Sequence, residues 1–429
     1  MTGPAAGPTA HDVSMEVDSE RATVPFIVSN SANQYRIPHR IWSGAIEEDW
    51  NMKLPLKRSE FASRRRFVTK IGSLMGAAAV TSALPLRDAW ALETLTMLTW
   101  NGFAEREVVG DFVDKHGVKI RAKYYTGGDE MLALISQSPP GTYDVILADG
   151  EYVQQLRTAG YIDKLNPADY PFNDYFPEFR RFPMLWHEND MYALLMRFGF
   201  LGVSFNTKYI TDEQASSYEM FWDKKLKGKV AHFDWHLPNL GQMSLLNGNP
   251  KPYDIDAAAW QKVQDRTMSL RPQIAGFFGY GGTLSALKTE QVHAMLGIGD
   301  WITGLLARDG GSFKTVVPKE GGLQWDECLC IGKGSRKTEL ATKFLQYMAS
   351  PEGQVKAATM KAYPALIPNQ EGWKLLSKVN HVAAERGGML MDEYNVMNII
   401  REGRIHDRQL PVQQSLQDWN NFWQKYKSA

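Results

Sequence analysis

Cys328 and Cys330 are the residues that could do covalent chemistry here. They follow Asp326 and Glu327. A reactive thiolate needs an exposed, electropositive setting, and adjacent carboxylates act against one. A disulfide across a single residue is strained, and two thiols with no neighbouring His are too few ligands for zinc. Both read as small apolar residues of a strand. Other reaction signatures fail on inspection. Gly332-Lys333-Gly334-Ser335 lacks the upstream Gly of a phosphate loop and places Gly after the Lys. His187-Glu188 runs into Asn189 and Asp190, without the second His of a zinc-protease helix. There is no Gly-x-Ser-x-Gly elbow, and the nine His are scattered. Flat rings are plentiful, with 13 Trp and 17 Tyr. Rings of this kind grip small ligands and also fill cores, and composition leaves both uses open. The expectation is a protein with no catalytic residue, no metal and no cofactor.

The elements that must position these rings alternate. Leu95 to Trp100 has the length and apolarity of a strand. Ala104 to His116 carries Val108, Val109, Phe112 and Val113 at helical spacing and stops at Gly117. Val118 to Tyr125 reads as a second strand, Met131 to Ser136 as a helix, and Tyr143 to Ala148 as a third strand. Alternation of this type predicts a largely parallel sheet covered by helices. Asn166 to Asp190 reads as loop. Tyr192 to Asn206 is long and apolar, a candidate for chain crossing between two lobes. Lys229 to Asp234 and Val292 to Ile298 read as strands of a second lobe, Glu339 to Ala349 as a helix, and Ser415 to Tyr426 as an aromatic amphipathic helix.

The front of the chain reads as an address. Ser63-Arg64-Arg65-Arg66-Phe67-Val68 is similar to the twin-arginine (Tat) export signature. An apolar stretch from Ile71 to Leu84 follows, too short and too rich in Gly and Ala to span a membrane. Ala89-Trp90-Ala91 offers a cleavage site. Residues 52–91 are therefore expected to be a signal peptide and residues 1–51 a disordered or gene-model extension, with translation starting at Met52. The exported part, from Leu92, has about 340 residues, enough for two lobes. Lys+Arg and Asp+Glu both number 48, so nothing in the charge calls for nucleic acid or an acidic surface as partner.

Several blocks, in order, carry a family resemblance. They are Leu98-Thr99-Trp100-Asn101-Gly102-Phe103, Tyr143-Asp144-Val145-Ile146 with Asp149-Gly150-Glu151-Tyr152, and Pro318-Lys319-Glu320-Gly321-Gly322 with Trp325. Ala341-Thr342-Lys343-Phe344 and Ser350-Pro351-Glu352 follow. Together they resemble the spermidine/putrescine-type periplasmic binding proteins of ABC importers. The resemblance implies an α/β fold of two lobes joined by crossing strands, with the ligand cleft between them. The expected division is 92–198 plus 325–372 for lobe 1 and 199–324 plus 373–429 for lobe 2. It also implies a periplasmic monomer that serves importer permease and ATPase subunits, and the Ser63–Val68 signature implies export by the Tat translocase.

Carried over residue by residue, the resemblance makes Trp100 and Trp325 stacking rings, with Phe103 where relatives often have Tyr. Glu327 stands where relatives carry the Asp that grips an ammonium, with Asp326 beside it. Asp234 is the one acid in the second-lobe segment Asp234 to Asn239. Asp300-Trp301 falls near the family's Trp-Asn-Gly segment. Glu151, Tyr152 and Tyr280 complete the expected ligand set, although Glu151 and Tyr152 could instead cap the helix they begin. His236 reads as an ordinary surface histidine. Burying a polyammonium demands carboxylates and π faces, and a cation over a ring gains roughly 0.5–2 kcal/mol. The departures from the family's acids point to a smaller or less cationic ligand. The alternatives are an opine, amino-acid-derived or phosphonate ligand, or a thiaminase-like enzyme built on the same fold with a nucleophilic Cys.

Overall fold

The computed structural model describes residues 92–429. The proposed signal peptide and the segment before it lie outside the described residues. The first half alternates as the periodicity predicts. It runs β1 (Thr94–Thr99), α1 (Arg106–His116), β2 (Lys119–Tyr124), α2 (Gly128–Ser136), β3 (Val145–Asp149) and α3 (Gly150–Thr158). Helix α1 shows the local logic. Val108, Val109 and Phe112 face the core, and Gly117 ends the helix at φ 61°, returning its N–H to the Val113 carbonyl. That left-handed C-cap favours glycine. The segment read as loop, 166–190, holds four short 3-10 turns, and its end enters a two-strand hairpin, β4 (Trp186–His187) with β5 (Asp190–Met191).

The chain then continues as β6 (Leu194–Leu201), β7 (Val203–Asn206), β8 (Val230–Phe233), α4 (His236–Leu246), α5 (Ala257–Leu270), β9 (Ile274–Phe278) and α6 (Tyr280–Lys288). After these come β10 (Ala294–Leu296), α7 (Asp300–Arg308), β11 (Phe313–Val316), β12 (Gly322–Ile331), α8 (Thr338–Ala349) and α9 (Pro351–Ala358). The chain closes with α10 (Gln370–Val379), α11 (His381–Arg386), α12 (Met397–Arg401), β13 (Ile405–Asp407) and α13 (Leu416–Ser428).

Two sheets organise these elements. In the first the order is β13-β12-β3-β1-β2, with β6 paired to the other side of β12. In the second it is β11-β7-β10-β8-β9. The apolar run 192–206 is therefore two strands. β6 belongs to the first sheet and β7 to the second, with Gly202 between them. A Cβ at Gly202 would lie 2.1 Å from the Val316 carbonyl oxygen, so two chain crossings touch at this point. Strand β12 is buried at all ten positions because it has neighbours on both edges. Residues 373–429, expected together in lobe 2, divide. β13 is an edge strand of the first sheet, whereas α13 packs on α4 and α5 beside the second. The aromatic face of α13 causes this docking: Trp419 stacks on Trp260 at 5.0 Å, and Trp423 and Tyr426 close on His232. A capping box between Ser415 and Asp418 starts the helix.

Candidate ligand-binding site

A cavity of about 540 Å³ opens between the two sheets, within the range of roughly 300–1,000 Å³ usual for small-molecule sites. It lies at the ends of parallel strands from which helices leave, the place where open α/β sheets bind ligands. Helices α2, α4 and α6 begin at its wall, and none has a side-chain cap. Their first N–H groups lend the cavity partial positive charge.

One end is aromatic. Trp325 and Glu327 stand on the same face of β12 and line the cavity, while Asp326, between them, does not. The pleat sends alternate side chains to opposite faces. Tyr363 comes from the loop after α9, and Tyr280 and Trp301 from the starts of α6 and α7. Trp301 lies 6.0 Å from Tyr280 in a near-parallel stack and 5.7 Å edge-on from Tyr363. Trp325 meets Tyr363 at 6.5 Å. Room for the Trp325 ring comes from Gly199 on the paired strand β6, where a Cβ would fall 2.5 Å from it. Asp300 braces this group from behind. Its Oδ1 accepts from Trp325 Nε1 at 3.2 Å, from the Phe200 amide at 3.2 Å and from the Trp301 amide at 3.0 Å. Burial pushes the Asp300 carboxyl up to about 7, against the pull of these donors.

Glu327 does not offer a free charge. Arg197, fully buried, forms a salt bridge with it, and the Tyr363 hydroxyl donates to its other oxygen. The Arg197 guanidinium sits between the Phe103 and Tyr363 rings, 4.3 Å from each centroid. Phe103 is thus a support for Arg197 behind the wall and does not line the cavity.

The other end is built around Arg408. It gives Nε to Glu151 at 2.7 Å and Nη2 to Glu151 at 3.2 Å and Asp149 at 3.0 Å. It lies 4.5 Å from the Trp235 ring centroid. Glu151 is buried behind Arg408. Burial holds Asp149 well above the usual carboxylate range, with Glu151 and Glu327 adding to the rise and Arg408 opposing it. Asp234 lines a third side and is paired with Lys427 and with Trp423 Nε1.

Of the expected ligand residues, Trp100, Tyr152, Asp234, Tyr280, Trp301, Trp325 and Glu327 line the cavity. Phe103, Glu151, Asp300 and Asp326 stand behind it. His236 is no surface histidine. It is 5% exposed, starts α4 in the cavity wall, and is pushed down to about 4 by burial. Sequence reasoning missed Arg408, Arg197, Tyr363 and Lys427. Arg408 sits in a stretch without periodicity, and no local signal marks it. Both cysteines are buried on β12, with Cys330 pushed up to about 12 by burial and Cys328 held well above the usual thiol range by burial and Asp326. That opposes a nucleophilic role. Among the described residues no acid, His and Cys cluster could hold a metal, and no helix is long and apolar enough to cross a membrane.

Residues 107–372 match the bacterial extracellular solute-binding protein family. The chain belongs to that family. It is 24% identical over 292 residues to spermidine/putrescine-binding periplasmic protein 1 of Haemophilus influenzae, covering 68% of this chain and 79% of that protein. The solved spermidine/putrescine ABC transporter substrate-binding protein of Streptococcus pneumoniae superposes with a TM-score of 0.64 at 16% identity, over 78% of this chain and 99% of that one. A periplasmic binding protein of Agrobacterium tumefaciens in complex with glucopine superposes with a TM-score of 0.60 at 16% identity, over 79% and 99%. The fold is therefore the two-lobed α/β fold of periplasmic binding proteins, and the role is extracytoplasmic solute binding in a family of transport proteins.

Proposed function

We propose that this solute-binding protein captures a small organic amine in the aromatic end of its cleft and presents the closed form to an ABC importer. The observation that carries this reading is the meeting of Tyr280, Trp301, Trp325 and Tyr363 above Glu327. A cation over such faces gains roughly 0.5–2 kcal/mol, more once water is excluded. The rings come from both sheets, so a ligand that touches all four favours the closed state over the open one. The lobes take their identity from the two sheets, and the crossings at Gly202 and between β11 and β12 act as the hinge. Putrescine and spermidine are the first compounds to test, because the relatives are named for them. Export by the twin-arginine route before Leu92 and work in the periplasm as a monomer complete the reading. They rest on the Ser63–Val68 signature and the family.

The test is a thermal-shift and calorimetric screen of the purified full-length chain against diamines, polyamines, amino acids and amine-free carboxylates. A ligand that binds only the folded state raises the melting point by mass action. An amine that shifts the wild type, with binding weakened at least tenfold in Trp301→Ala, supports the reading. A response only to compounds without an amine overturns it.

A further inference from the structure

The two ends of the cavity differ in what they leave unpaired, and the Arg408 end leaves donors. Arg408 is 4% exposed yet lines the cavity. Glu151 and Asp149 take its Nε and Nη2, and Nη1 has no partner among the described residues. The guanidinium rests over the Trp235 ring and is held on its far side by the two carboxylates. Beside it α4, eleven residues long, begins without a side-chain cap. Its first residue, His236, is buried in the same wall with Nε2 unpartnered. A fixed guanidinium, an open helix N-terminus and a neutral imidazole make a site for an oxyanion. A second ammonium there would face the Arg408 charge.

Resting on the amine reading above, we propose that the natural solute is a zwitterion. Its amine occupies the aromatic end, and a carboxylate binds Arg408 Nη1 at the start of α4. Glu151 and Asp149 act as positioning residues, holding the fork so that Nη1 faces the ligand. This fits the internal pairing of most acids in and behind the cleft, Glu327 with Arg197, Glu151 and Asp149 with Arg408, and Asp234 with Lys427, which leaves Asp129 at the start of α2 as the cavity-lining acid without an ion pair among the described residues. A ligand with one net charge or none needs few free carboxylates, whereas a polycation needs several.

The experiment is isothermal titration of the full-length chain with chain-matched pairs: putrescine against 4-aminobutyrate, and cadaverine against 5-aminopentanoate. The amino acid of each pair is expected to bind at least tenfold tighter than the diamine. Arg408→Lys, which keeps the charge and loses the fork, should reduce that preference tenfold or more. The charge stays and the positioned Nη1 donor is lost. Arg408→Gln with Glu151→Gln removes the cation together with one acid it neutralises and should abolish the preference. Should both variants fail to fold, the wild-type pairs alone decide. Diamines that bind as tightly as their amino-acid partners overturn the zwitterion and leave the amine reading standing. Binding of butyrate or pentanoate as tight as that of the amino acids overturns the amine reading and leaves the Arg408 site standing. No binding within either pair overturns both.

Discussion

Two arginines stand behind or within the cleft wall, and their surroundings differ in one respect that separates structure from recognition. Arg197 is wholly enclosed, faces one carboxylate, is sandwiched by two rings and does not line the cavity, so its unpartnered Nη2 is not offered to a ligand. Arg408 faces two carboxylates, rests on one ring and itself lines the cavity, with Nη1 unpaired among the described residues. The first is a closed charge pair that holds Glu327 and Tyr363 in place. The second is an open one, with neutralised charge and directional donors left for a ligand. A buried pair is weak as a source of stability but expensive to break, so both centres are positional devices.

Breaking the closed pair should have the largest effect. Arg197→Met is expected to lower stability by about 3–5 kcal/mol in denaturant melts, because it leaves Glu327 charged and buried. Adding Glu327→Gln should recover most of the loss. If Arg197→Met alone were silent, Glu327 would not need its partner and the comparison would collapse. Removing Arg408 should do less, about 1–3 kcal/mol for Arg408→Gln, because Asp149 can take a proton. That loss should be greater at pH 8 than at pH 5. Without the cation that opposes its rise Asp149 titrates higher still, and stability from a carboxyl with a raised folded pKa falls as pH rises.

Gly199→Ala would press a methyl into the Trp325 ring and Asp300. A cost of about 1–3 kcal/mol and weaker ligand binding are expected, read by melting and titration. Asp300 gives a pH test. Its folded carboxyl titrates near 7, above the unfolded value of 3.8, so the folded state binds more protons between those limits. Its contribution is present below about pH 4 and lost as pH rises through 7, an effect on the order of 4 kcal/mol. His232 and His236, both pushed down to about 4 by burial, act in the opposite sense as pH falls below 6.5. The difference between wild type and Asp300→Asn therefore isolates the aspartate. The variant should show a flatter loss from pH 4 to 7.

The smallest effect should come from Tyr280→Phe. It loses one hydrogen bond to the Ala362 carbonyl at 3.0 Å, about 0.5–1.5 kcal/mol, and keeps the ring. Since Tyr280 and Ala362 belong to different lobes in the proposed division, the expected change is a few-fold loss of ligand affinity with little change in melting point.

How far the site could be read from the chain follows from how its residues are placed. Trp325 and Glu327 were reached through the family resemblance, and their two-residue spacing on β12 puts both on one face, whatever surrounds them. The same rule should have placed Asp326 on the opposite side. Trp301 was reached through the family resemblance, and the structure puts it and Tyr280 at the starts of helices that follow strands. Phe103, Glu151 and Asp300 were recognised as important, but their work is to hold Arg197, Arg408 and Trp325, a distinction that depends on which partner they meet. Arg408 follows β13, in a segment with no motif and no amphipathic period. Its role exists because β13 pairs with β12 and brings it beside Glu151, 257 residues earlier.

The sequence by itself determined the alternation of strands and helices, the two-sheet class, the aromatic faces and the absence of local reaction motifs. All of these are short-range properties, set by side-chain period and backbone preference. Only the tertiary structure decided which carboxylates remain free, which arginine is closed off and which faces the ligand. Charge in a cleft is a sum over residues that meet across long chain separations, and burial sets the strength of each interaction.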